Sequence, residues 1–146
     1  MALNISSELF QRIQAHGEAA YPDEGAGLLL GVVSQAGRQV YDLLEFDNAR
    51  EDSARHNRYL LTAQDYLFGE QKAARLGLEV IGVFHSHPDH PEYPSEFDRE
   101  WATPWLSYII TSVRSGRAET SRSWQLKEDR SQFEEELITV TSGGST

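Results

Sequence analysis

The residues of this chain best suited to do chemistry are His85, His87, Ser95 and Asp98. Leu78 to Phe84 is apolar and rich in β-branched residues, so it reads as a buried strand running into the histidines. Side chains two apart on a strand share a face, which brings both imidazoles to one point. Pro88 is expected to stop further pairing, and Pro91 and Pro94 fix the next stretch as an irregular loop. With Ser95 as the N-cap of a short helix, Asp98 is the third helical position and can point back toward the strand end. Two imidazoles and one carboxylate are three ligands, the number that catalytic zinc sites take from a protein while leaving a fourth position for water. Taken singly, a strand-end histidine is an ordinary polar residue, and a Ser followed three residues later by Asp is an ordinary helix start. As a set they read as a metal site.

The elements that must position this set follow from periodicity. Ile5 precedes Ser6, a plausible N-cap, and Leu9, Phe10, Ile13 and Ala20 recur at helical spacing, with Ile5 against Phe10 as a hydrophobic staple. That helix should end near residues 17–21, before Pro22. Gly27 to Val33 is a continuous apolar run, read as a central strand, and Arg38 to Phe46 as its antiparallel partner. Asp47 to Asn57 is polar and loop-like. Thr62 caps an expected helix through Leu76, with Ala63, Tyr66, Leu67 and Ala74 on its inner face and Gly77 at its end. After the histidine strand and a helix from Ser95 to about Thr103, Leu106 to Val113 and Glu119 to Leu126 form two more strands. Residues 133–140 suit either a last edge strand or a short helix. The order αββαβαββ implies a mixed sheet with helices packed on it, hence an α/β or α+β fold. Trp105 and Trp124 are assigned to the core, and His90 to the solvent side of the histidine loop.

Composition sets the surroundings. The 146 residues suit one domain over 1–140, with a Gly/Ser/Thr-rich flexible tail at 141–146. The chain has no cysteine, so a zinc ion would be bound by nitrogen and oxygen, and a thiol nucleophile is excluded. A formal charge of −10, with basic residues scattered, argues against a nucleic-acid partner. Neither a secretory leader nor a membrane-length apolar run is visible, so a cytoplasmic protein without a membrane partner is expected.

A zinc hydrolase also needs a general base. Upstream, Glu24 lies just before the Gly27 strand, at the mouth of the sheet, where Gly25 and Gly27 allow close approach of a neighbour. On its own Glu24, like Asp23, reads as a solvated loop acid. In combination, Glu24 with Gly27, then His85-Ser86-His87-Pro88, seven residues from Pro88 to Pro94, and Ser95 and Asp98 resemble the motif of the JAMM (MPN-plus) metallopeptidases. The likeness extends to the Tyr21-Pro22 lead-in, Asn48, the Arg58-Tyr59 pair and the Tyr108–Thr111 strand, and so covers roughly residues 5–126.

The resemblance implies that His85, His87 and Asp98 ligate a single Zn²⁺ with water as fourth ligand. It gives Glu24 the role of general base toward that water and of proton donor to the leaving amine, and Ser95 that of hydrogen-bond donor to the oxyanion. Members of the family cleave peptide or isopeptide bonds at the C-terminus of ubiquitin or ubiquitin-like proteins. The short connections here resemble the small stand-alone prokaryotic members, some of which act on ubiquitin-fold sulfur carriers at their Gly-Gly tail. Three other readings compete. A non-catalytic MPN-type scaffold typically lacks the intact ligand set. A zinc deaminase would want cysteine ligands. A zinc peptidase acting on unrelated peptides could use the same site.

Overall fold

The computed structural model describes residues 2–47, 59 and 61–142. Its elements run β1 (Ala2–Ser6), α1 (Ser7–Ala20), β2 (Ala26–Ser34), β3 (Gly37–Phe46), α2 (Ala63–Arg75), β4 (Glu79–Pro88), α3 (Glu96–Trp101), β5 (Ser107–Arg114), β6 (Arg117–Leu126) and β7 (Phe133–Thr141). The strands close into a barrel in the order β1-β3-β2-β4-β5-β6-β7, with β7 returning to β1. The sheet is mixed: β4 and β5 run parallel, as β1 does to both β3 and β7, and the remaining neighbours are antiparallel. The mixed α/β architecture matches the expectation, and the expected central pair Gly27–Val33 and Arg38–Phe46 lies within β2 and β3.

Two sets of apolar side chains occupy opposite faces of the sheet. One gathers Leu3, Ile5, Ile13, Leu29, Ile81, Phe84 and Ile109, with Phe10 packed against it from α1. The other gathers Leu28, Leu30, Leu44, Ala73, Val83 and Tyr108, with α2 above it. Burial on both faces explains why β2 reads as an unbroken apolar run rather than an alternating one. Gly27 is required where it stands: a Cβ there would lie 2.2 Å from the Leu44 carbonyl oxygen and from the Phe84 ring. Among the described residues, no helix is long and apolar enough to cross a membrane.

Several expectations need correcting. The leading strand β1 was not foreseen: Ile5 lies in the core cluster that Phe10 packs against, and it also belongs to a five-residue strand. Residues 133–141 form a strand, and it is not an edge, because β1 pairs along its other side. In α2 the buried residues are Gly69 and Ala73, while Ala63, Leu67 and Ala74 face solvent. Small residues face inward because the helix lies close on β2; a Cβ on Gly69 would sit 2.4 Å from Leu28 Cδ1. Trp124 is buried as expected, but Trp105 is 70% exposed. It falls in the turn before β5, where its carbonyl accepts from Arg38 at 2.7 Å. Pro88 does not stop pairing, since β4 runs beside β5 as far as Pro88↔Val113. The Ser86 N–H points to the β2 side, and Pro88, two residues on, lacks its N–H on that same side, where β2 has already ended. All but Asp47 of the loop expected over 47–57, with Asn48, Arg58 and most of the tail at 141–146, lies outside the described residues.

Candidate active site

The β4 strand presents alternate side chains to opposite faces, and the two histidines share one. A register shift in the β2–β4 pairing at Leu29/Leu30 resets the alternation. Beyond it, Val83 joins the α2-side core and Phe84 the α1-side core. His85 and His87 therefore continue the face of Val83, while Ser86 turns toward α1. Asp89, at φ 57°, ends the strand in a left-handed turn. The chain then loops to Ser95, which caps α3 by accepting the Asp98 N–H at 3.0 Å. Asp98 returns the bond, its Oδ2 accepting the Ser95 N–H at 2.8 Å. This reciprocal cap fixes the carboxylate, which then faces the strand end as its helical position predicts.

The three side chains meet. His85 Nε2 lies 3.3 Å from Asp98 Oδ1, His87 Nε2 lies 3.2 Å from Asp98 Oδ2, and the two Nε2 atoms are 3.2 Å apart. A tetrahedral zinc with ligand bonds of about 2.0–2.1 Å has ligand-to-ligand edges of about 3.3–3.4 Å, and the separations here, each histidine facing a different oxygen of the one carboxylate, are of that size. His87 Nδ1 stands 2.8 Å from the Pro91 carbonyl, a bond in which the ring must donate. In the neutral ring this leaves the Nε2 lone pair directed at the centre. The donor set, spacing and tautomer thus fit a divalent metal, and all three residues are at most 6% exposed.

Electrostatics bind the triad as a unit. Burial alone would push the Asp98 carboxyl up, but the two imidazoles outweigh it and hold it well below the usual carboxylate range. Burial is the largest influence on both histidines. It prevails at His85, whose pKa is lowered; at His87 the Asp98 carboxylate, with Glu24 and the Pro91 carbonyl, overcomes it and the pKa is raised. Glu24, 5% exposed, lines a pocket of about 330 Å³ together with His87, His90, Pro91, Tyr93 and Ser95. The structure therefore brings the five expected residues together, Glu24, Ser95 and His87 lining the pocket and His85 and Asp98 buried against His87. His90 lines the pocket mouth with an exposed side chain, and its carbonyl accepts the Ser112 hydroxyl at 2.6 Å.

The sequence reading passed over the residue that joins the Glu24 loop to the triad. Ser86 Oγ accepts the Gly25 N–H at 2.8 Å, and the Ser86 N–H donates to the Gly25 carbonyl at 3.0 Å. Gly17 of α1 has no side chain where Ser86 packs; a Cβ there would meet Ser86 Cβ at 3.1 Å. The available signal was a small polar residue inside a buried strand, facing away from both histidines. A second tie joins the same two loops: Tyr21 donates its hydroxyl to Asp89 at 2.5 Å, and Asp89 also accepts the Ser115 N–H. Behind the loop, Trp124 Nε1 donates to the Glu92 carbonyl and Arg122 pairs with the Glu92 carboxylate.

Comparison with known proteins agrees with this geometry. Residues 6–127 match the family model described as prokaryotic homologs of the JAB domain. A probable TtuB-protein conjugate cleaving protease from Thermus thermophilus is 26% identical over 118 residues, 79% of this chain and 75% of that protein. A protein from Salinibacter ruber, solved in solution, is 41% identical with a TM-score of 0.74, covering 98% of this chain and 94% of the other. A JAB1/MPN domain protein from Archaeoglobus fulgidus is 22% identical with a TM-score of 0.61, covering 97% of this chain and 98% of the other, a likeness that shows the fold alone.

Proposed function

This chain belongs to the family of prokaryotic JAB-domain homologues, and on that premise we propose that it is a zinc-dependent hydrolase that cleaves a peptide or isopeptide bond at the C-terminal Gly-Gly tail of a ubiquitin-like, sulfur-carrier type protein. The observation that carries the reading is the buried His85–His87–Asp98 cluster, whose His87 lines one pocket with Glu24. The relative named as a TtuB-conjugate cleaving protease supports the substrate class. One Zn²⁺ held by the three ligands would polarise the scissile carbonyl and lower the pKa of a water to about 7.

The protein's own groups supply the rest. Glu24 accepts a proton from the attacking water as the new C–O bond forms, and later delivers it to the leaving amine as the amide C–N bond breaks. A carboxylate at the pocket wall suits both steps, since it is first acceptor and then donor. The Ser95 hydroxyl uses an oxygen lone pair to cap α3 and keeps its hydrogen to donate to the oxyanion. Tyr93 and Pro91 give the pocket an apolar side against which an extended tail can lie.

The test is incubation with ubiquitin-fold carriers from the same organism, each extended beyond Gly-Gly, with products read by intact mass. Cleavage directly after Gly-Gly is the expected result. Hydrolysis of unrelated peptides with every carrier left intact would overturn the substrate assignment.

A further inference from the structure

The two imidazoles of the triad are oriented by different means. His87 is held by the Nδ1–H bond to the Pro91 carbonyl at 2.8 Å, the usual way a ligating histidine is fixed. His85 has no counterpart: its Nδ1 is buried and, among the described residues, has no hydrogen-bond partner. What lies against it is an aromatic face. Tyr59 stacks on His85 with ring centroids 4.4 Å apart and planes inclined by 26°. Tyr59 itself packs on the core cluster that holds Leu28, Val83 and Tyr108, so it stands as a wall rather than a flap.

A histidine ring with its Cβ fixed on a strand can still turn about the Cβ–Cγ bond. A hydrogen bond at Nδ1 would stop that turn. Without one, the ring must be held by what it touches, and turning it through the perpendicular would drive its edge into the stacked phenol ring. The other face gives less restraint, since the His85 and His87 rings are tilted at 52° with centroids 5.1 Å apart. We propose that Tyr59 is a positioning residue for the metal centre, its ring rather than its hydroxyl holding the His85 imidazole in the plane where Nε2 meets Asp98 and His87. The inference rests on the metal-site reading above and adds to it a residue outside the ligand set.

The experiment uses the full chain and Co²⁺ as the probe. Affinity is measured by competition with a chromophoric chelator, and ligand geometry by the visible d–d absorption bands. Tyr59→Leu should weaken Co²⁺ binding by about 10–100-fold and alter the bands, the range found when an orienting partner is removed, whereas Tyr59→Phe should stay within about threefold of the parent. Equal binding and identical bands in the parent and Tyr59→Leu would overturn the proposal, as would a loss in Tyr59→Phe matching that in Tyr59→Leu. Should Tyr59→Leu fail to fold, NMR of the unmutated and Tyr59→Phe proteins decides. Both should show His85 ring protons moved upfield by the stacked ring, and unshifted resonances would contradict it. If the parent takes up no Co²⁺, the metal-site reading fails and this proposal with it. If the parent binds and Tyr59→Leu binds alike, only the positioning role falls.

Discussion

At the scale of residues, the opposed shifts of the two histidines set how the centre responds to pH. In the metal-free protein, His87 is raised by its carboxylate neighbours, so its contribution to stability is complete below the unfolded pKa of about 6.5 and is lost as pH rises through the higher folded value. Asp98 is depressed, so its contribution is present above the ordinary carboxylate pKa of about 4 and is lost only on strong acidification. Metal binding runs the other way, because a proton on His87 competes directly with the metal. The gap in thermal midpoint between metal-loaded and metal-free protein should therefore widen from about pH 5 to about pH 7.5, measured by calorimetry with excess metal or excess chelator. A constant gap would show that no histidine is displaced from protonation by the metal. The proposed ligands were legible in the sequence because their geometry is local: His85 and His87 share a strand face by period two, and Ser95 and Asp98 share one helical turn. Glu24 was not legible in that way, since its place depends on backbone contact 61 residues along the chain, between Gly25 and Ser86. The family motif, not local spacing, brought it into the set.

At the scale of elements, β4 serves two loops at once through its alternation. One face carries the histidines; the other carries Ser86, which holds the Glu24 loop. Ser86→Ala leaves the buried Gly25 N–H without its side-chain acceptor, so it should destabilise the fold by about 1–3 kcal/mol in urea unfolding. The same variant should lower turnover while metal content stays unchanged, because the proposed histidine ligands lie on the opposite face. Metal loss equal to the activity loss would refute this division of labour. Elements whose signal is local were read correctly, as the Ser6 and Thr62 caps and the antiparallel β2–β3 pair show. The misreadings have a common physical origin in long-range contact. The inner face of α2 is set by how closely it lies on β2, which selects Gly69 and Ala73 over the larger Leu67. A five-residue β1 has too few residues to show a period, and it is a strand because β3 and β7 lie on either side of it.

At the scale of the whole molecule, β7 pairs with β1 and closes the barrel, so that among the described residues no strand of the sheet has a free edge. A chain ending after Lys127 would expose the edges of β1 and β6, and it should unfold at lower denaturant and associate at concentrations where the full chain remains dispersed. Light scattering alongside a urea titration measures both, and unchanged behaviour would mean that closure contributes nothing. The proposed chemistry depends above all on Glu24 working on a water at a metal held by His85, His87 and Asp98. The most direct test measures metal content and hydrolysis of a Gly-Gly-extended carrier on the same samples of the parent and Glu24→Gln. The account predicts about one metal per chain in both, with turnover in Glu24→Gln reduced by about 10²–10⁴-fold. Full turnover in Glu24→Gln with metal bound would contradict it.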